Sequence, residues 1–173
     1  MIIGLGGKRG VGKDTLARAF CNQYPQFHQI AFVDYLKSQV MHIFGLSTLQ
    51  QYDNFKRSDV MWNNQQQSGR FIVQEIGMML LTNHPLIFIQ HAAHQASLYP
   101  DLIITDVRMV AEVEWIRSQP QHLLCYIQRP SASEHYFDNH ITENAIESQM
   151  FDYVIDNNDL TIALQQLDEY RRR

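Results

Sequence analysis

Hydrophobic residues along this chain fall into two patterns. Met1 to Leu5, Leu102 to Ile104 and Leu123 to Ile127 are short apolar runs, as expected of strands buried on both faces. Two weaker runs, His28 to Phe32 and Phe151 to Ile155, predict further short strands. Elsewhere apolar residues recur every three or four positions, which predicts helices. These are Lys13 to about Tyr24, ended by Pro25; Val33 to Phe44, with Gly45 at the stop; Arg70 to Leu81; Leu86 to Leu98, opened by Pro85; Val110 to Arg117; and a closing helix through Leu160, Ala163, Leu164 and Leu167. Leu46 to Ser68 is polar and rich in Gln and Asn. It reads as a loop with room for one short helix, not as a linker between domains. Ser131 to Ser148 reads as polar and irregular, and no segment repeats.

Strands alternating with helices predict an α/β fold, a parallel sheet of about five strands with helices on both faces, in one domain over residues 1–173. Ligands of such sheets bind beyond the carboxyl ends of the strands. Asp106 with Arg108 and Arg129 follow predicted strand ends, so separate stretches of sequence converge on one crevice.

Composition narrows the class. The 173 residues are 45% hydrophobic and 18% charged, ordinary for a soluble globular domain. A net charge of −4 provides no overall basic field, so no nucleic-acid partner is expected. No apolar run approaches the ~20 residues that span a bilayer, and the chain enters a strand directly instead of a signal sequence. The expectation is a cytoplasmic protein without membrane partners. The two cysteines, Cys21 and Cys125, lack metal or redox spacing and read as buried free thiols. His91 and His94 are three apart on a predicted helix, but without a nearby carboxylate or thiol they read as a polar face. Met78 and Met79 read as core, and Arg171 to Arg173 as a solvated tail.

The strongest chemical signal lies between the first strand and the first helix. Gly7-Lys8-Arg9-Gly10-Val11-Gly12-Lys13-Asp14-Thr15 has the glycine and lysine spacing of a phosphate-binding P-loop, which makes the predicted fold a P-loop three-layer sandwich. Glycines let successive N–H groups face one concavity, and the following helix adds its positive end. Lys13 can then reach the outer phosphates of a nucleoside triphosphate. Lys8 and Arg9 either join it or are solvated loop charge. The usual magnesium-binding hydroxyl after the lysine is replaced by Asp14, with Thr15 one position later. A carboxylate there repels phosphates unless a cation compensates, so Asp14 is expected to help hold Mg²⁺ while Thr15 supports the helix start. Asp106, at a strand end, is the second expected magnesium residue; a helix cap is the alternative. Arg108, Arg129 and Arg70 are candidates for neutralising phosphate charge, because the guanidinium fork binds two oxygens at once.

Taken in order, these residues resemble a known family. Gly12 to Thr15, Asp34 with Lys37, Arg70 with Gln74 and Gly77, Thr105 to Arg108, Arg129-Pro130, His140-Ile141-Thr142-Glu143, and Asp152 to Ile155 with Asn157 are similar to the deoxynucleoside monophosphate kinases of T-even-type bacteriophages. The resemblance implies ATP-dependent phosphoryl transfer to a deoxynucleoside monophosphate, with Mg²⁺. It also implies a nucleoside monophosphate kinase layout, with a helical substrate insert at about 34–98 and a lid at about 129–148. By this resemblance Lys13, Arg108 and Arg129 are catalytic. Gly7 to Thr15, Arg129 and Asn157 bind ATP, with Arg129 and Asn157 bordering its base. Asp34, Lys37, Arg70, Gln74, Asp106, Arg108, His140 and Glu143 face the acceptor. Two departures stand out: the family's Arg after the Gln helix is missing behind Gly77, and Met109-Val110-Ala111-Glu112 replaces an Asn-Glu pair. A kinase of another phosphorylated acceptor, such as phosphomevalonate or dephospho-coenzyme A, and a non-catalytic nucleotide-binding regulator are the open alternatives. Monomer and homodimer are both open.

Overall fold

The computed structural model describes residues 1–129 and 146–173. In chain order its elements are β1 (Ile2–Gly6), α1 (Lys13–Gln23), β2 (His28–Ile30), α2 (Asp34–Ile43), α3 (Leu49–Arg57), β3 (Asp59–Trp62), β4 (Gln65–Ser68), α4 (Gly69–Asn83), α5 (Ile87–Leu98), β5 (Leu102–Val107), α6 (Val110–Arg117), β6 (His122–Gln128), a 3-10 turn (Ser148–Met150), β7 (Tyr153–Asp156) and α7 (Leu160–Arg172). The predicted lid segment lies mostly outside the described residues.

The chain divides into two compact units, residues 1–32 with 92–173, and residues 33–91. The first is built on a parallel sheet of five strands in the order β2-β5-β1-β6-β7. β1 is central, with Ile2 opposite both Leu102 and His122. That position explains its unbroken apolar run: every residue of β1 is buried. Strand alternation then sorts the side chains. Ile3, Leu5, Ile103, Leu123, Cys125, Ile127 and Ile155 share one core with Leu16, Ala17 and Phe20 of α1 and Ala163 and Leu167 of α7. On the other face Gly4 sits close against Ile116 of α6, Leu124 and Val107. Helices therefore cover both faces, and each buried Leu, Ile or Phe contributes about 1.5–3 kcal/mol.

The second unit holds α2, α3, α4, the first residues of α5 and an antiparallel hairpin of β3 and β4. The Leu46 to Ser68 stretch, expected as a loop with at most one short helix, is a helix followed by this hairpin. Two signals for them are local. Thr48 and Gln51 form a reciprocal capping box at the start of α3. Asn63 and Asn64 both have positive φ, as a two-residue hairpin turn requires. The third is tertiary: Phe44 packs its ring against both Phe55 and Trp62, with ring centroids 4.5 and 6.0 Å apart.

Three smaller expectations are corrected. Met78 and Met79 are exposed, because Ile72, Ile76 and Gly77 take the buried face of α4. Arg172 and Arg173 are exposed, as a solvated run requires, but Arg171 is half-buried: α7 runs to Arg172, Arg171 pairs with Asp168 at 2.6 Å, and its guanidinium lies over the Tyr24 ring. Cys125 is buried, but Cys21 is only half-buried; both are free thiols. Among the described residues no single helix is long and apolar enough to cross a membrane.

Candidate functional site

The parallel sheet delivers its strand ends to one edge. Gly6 of β1 pairs with Val107 and Tyr126, and Gln128 pairs with Asp156. The P-loop, Arg108 and Arg129 therefore leave the sheet at the carboxyl edge, as the sequence predicts, and Asn157 leaves it there too, directly after β7.

The loop is held open by its glycines. Gly7, Gly10 and Gly12 have φ of 128°, 82° and 92°, values that L side chains rarely adopt. Packing imposes a second constraint at two of them. A Cβ on Gly7 would meet the Ile127 carbonyl oxygen at 2.2 Å, and one on Gly12 would meet the Asn157 amide nitrogen at 2.4 Å. Above Gly10 there is open space. The loop is thus packed from behind and accessible at its crown.

Lys13 is buried, and its ammonium donates to the carbonyls of Gly7 at 2.7 Å and Lys8 at 2.9 Å. A buried cation needs such partners. These carbonyls keep the charge within the loop, where phosphate oxygens can take over as stronger, charged partners. Asp14 and Thr15 are exposed in the first turn of α1, and Lys8 and Arg9 are exposed on the loop.

Asp106 is buried at the end of β5, and its carboxylate accepts from the Phe32 N–H at 2.7 Å. It therefore fixes the chain where it leaves β2. Arg108 follows, half-buried. Its backbone N–H donates to Glu112 Oε2 at 2.7 Å, and that of Met109 donates to the same oxygen at 3.0 Å. Glu112 is buried, and burial raises its pKa to about 7; Asp106 adds to the rise, and the two N–H donors oppose it. Its importance was missed at the sequence level, where it stood only as part of a departure. The available signal was a glutamate three residues beyond the N-cap of α6. Arg129 is exposed, directly after β6.

Asn157 is buried at the end of β7. Its side-chain amide donates to the Val11 carbonyl at 2.8 Å, and its backbone N–H to the Gln128 carbonyl at 2.8 Å.

The predicted acceptor residues Asp34, Lys37, Arg70 and Gln74 lie in the second unit. Asp34 and Lys37 form an ion pair at 2.6 Å on the first turn of α2. Arg70 and Gln74 stand one turn apart, both exposed, at the start of α4, whose N-terminus is capped by Ser68. Tyr52 belongs with them: burial raises its hydroxyl pKa, Asp53 and Asp34 raise it further, and Arg70 lowers it. Sequence reasoning did not single out Tyr52, whose signal was its spacing with Phe55 on α3. His140 and Glu143 lie outside the described residues. His91 makes a ring contact with Tyr35, centroids 5.6 Å apart, and His94 is exposed. Among the described residues no cluster of three metal-ligating side chains exists.

A model for deoxynucleotide monophosphate kinase matches residues 26–167. The match begins beyond the P-loop, so the loop's assignment is independent of it. No curated protein sequence matches this chain significantly. Among solved structures, a shikimate kinase from Aquifex aeolicus vf5 superposes with a TM-score of 0.51 at 11% identity, covering 99% of this chain and 96% of that one. An uncharacterized protein from Eubacterium ventriosum ATCC 27560 gives 0.53 at 14% identity, covering 99% and 98%. At such identities the likeness is one of fold.

Proposed function

The chain belongs to the deoxynucleotide monophosphate kinase family, and from that premise we propose that it transfers the terminal phosphoryl group of ATP to a deoxynucleoside monophosphate, giving the diphosphate. The observation that carries this reading is the loop: three glycines at positive φ, an open crown, and the Lys13 ammonium held on the Gly7 and Lys8 carbonyls.

The chemistry asks little of the protein in covalent terms. The acceptor is a phosphate oxygen, already anionic near neutral pH, so no general base is needed. Positioning and charge neutralisation carry catalysis. Lys13 and the loop N–H groups hold the donor phosphates. In this reading Arg108 and Arg129, which follow strand ends at the carboxyl edge, neutralise the charge that develops on the transferring group. Asp34, Lys37, Arg70 and Gln74 hold the acceptor, Arg70 as the residue for its phosphate.

Mg²⁺ fits the donor set present. It binds through one or two carboxylates together with water and substrate phosphates, not through a protein cage. Exposed Asp14, beside Lys13, and Asp106 would hold it, and it would offset the repulsion between Asp14 and the phosphates.

The deciding experiment measures ADP formation from ATP with each deoxynucleoside monophosphate, phosphomevalonate and dephospho-coenzyme A as acceptor. Turnover that depends on one or more of the deoxynucleotides is expected. Turnover with another acceptor only, or none with any, would overturn the proposal.

A further inference from the structure

Asn157 reaches from the end of β7 to the P-loop, where its side-chain amide donates to the Val11 carbonyl. The family resemblance places it beside the donor base. Its geometry gives it different work. The residue is 7% exposed, and its amide nitrogen is spent on the Val11 carbonyl at 2.8 Å. Val11 stands at the crown's inner flank, between Gly10 and Gly12, both at positive φ. A loop rich in such residues has many accessible backbone states, and fixing each residue costs roughly 1–2 kcal/mol. A fixed external donor on its central carbonyl removes part of that freedom before phosphate arrives. The absence of a Cβ on Gly12 is what admits the amide, since one there would stand 2.4 Å from its nitrogen. The backbone of the same residue donates to Gln128, the neighbour of Arg129.

We propose that Asn157 is a positioning residue for the donor phosphates: its amide presets the P-loop through Val11, and its backbone ties that point to the strand end carrying Arg129. The proposal rests on the reading of the loop as a triphosphate site. It concerns the phosphates and not the base. Asn157→Asp keeps the shape but sets an oxygen against the Val11 carbonyl; Asn157→Ala leaves that carbonyl without its donor.

The test is calorimetric binding of inorganic tripolyphosphate, a probe without a base, alongside ATP. Both variants should bind tripolyphosphate and ATP about tenfold more weakly than wild type and by the same factor, the effect of about one hydrogen bond's positioning. The KM for the acceptor should not change. A loss seen with ATP but not with tripolyphosphate would make Asn157 a base contact and overturn the proposal. Variants that bind both probes as wild type does would overturn it and leave the kinase reading intact. A wild-type protein that binds neither probe would overturn both. Should the variants fail to fold, nitrogen-15 resonances of the wild-type protein decide. The Asn157 amide is expected to exchange slowly with solvent and to shift on adding tripolyphosphate; fast exchange and no shift would overturn the proposal.

Discussion

Glu112 shows how a single residue can bear on the site without touching a substrate. It holds the backbone of Arg108 and Met109 from a buried position, with a pKa raised to about 7 by burial first and by Asp106 second. The ordinary value is 4.5. Below that value the group is protonated in both folded and unfolded chains. Between 4.5 and 7 the folded protein keeps a proton that the unfolded chain has lost. Stability therefore falls as pH rises through this window and levels off above it. The whole effect is about 3 kcal/mol. In urea unfolding series, the stability advantage of wild type over Glu112→Gln is expected to shrink by that order from pH 4.5 to 7. A constant difference would show that Glu112 titrates normally. Such a residue is hard to see in a sequence, because a glutamate in the first turn of a helix is ordinary and only the fold buries it.

At the scale of elements, the second unit is held by contacts that tolerate no side chain. Gly69 opens α4, its N–H donates to the Ser58 carbonyl at 2.9 Å, and a Cβ there would meet the Phe55 carbonyl oxygen at 2.0 Å. Because the neighbour is backbone, it cannot rotate away. Gly69→Ala is expected to lower stability by about 1–3 kcal/mol, measured as a shift in the urea midpoint, since α3 or α4 must move. An unchanged midpoint would mean that the two helices adjust freely. The same stretch explains why the hairpin was not foreseen. β3 and β4 are four residues each, and the second is Gln65-Gln66-Gln67-Ser68. Neither the length nor the composition signals a strand, and only the Asn63-Asn64 turn and the pairing across it define one.

At the scale of the molecule, the P-loop and the predicted acceptor residues belong to different compact units of one chain. Kinetic effects should divide along the same line. Arg70→Ala is expected to raise the acceptor KM about tenfold and leave tripolyphosphate affinity unchanged, while Lys13→Ala weakens tripolyphosphate binding and removes measurable turnover. Steady-state kinetics and calorimetry on the two variants check this. An Arg70 variant with a normal acceptor KM would remove α4 from the acceptor site.

The sequence by itself determined the sheet and its loop. A strand buried on both faces must be an apolar run, and a phosphate cradle must have glycine where φ is positive and a lysine to carry charge. Those demands act on neighbours in the chain, so Met1 to Thr15 could be read directly. Tertiary structure alone decided which distant groups meet. It placed the Asn157 amide on Val11, 146 positions away. It put the Asp106 carboxylate on the Phe32 N–H and buried Glu112 under the Arg108 turn. Each of these is a polar group taken out of water, and what it must bond to is set by the packing of strands and helices, not by its neighbours in sequence.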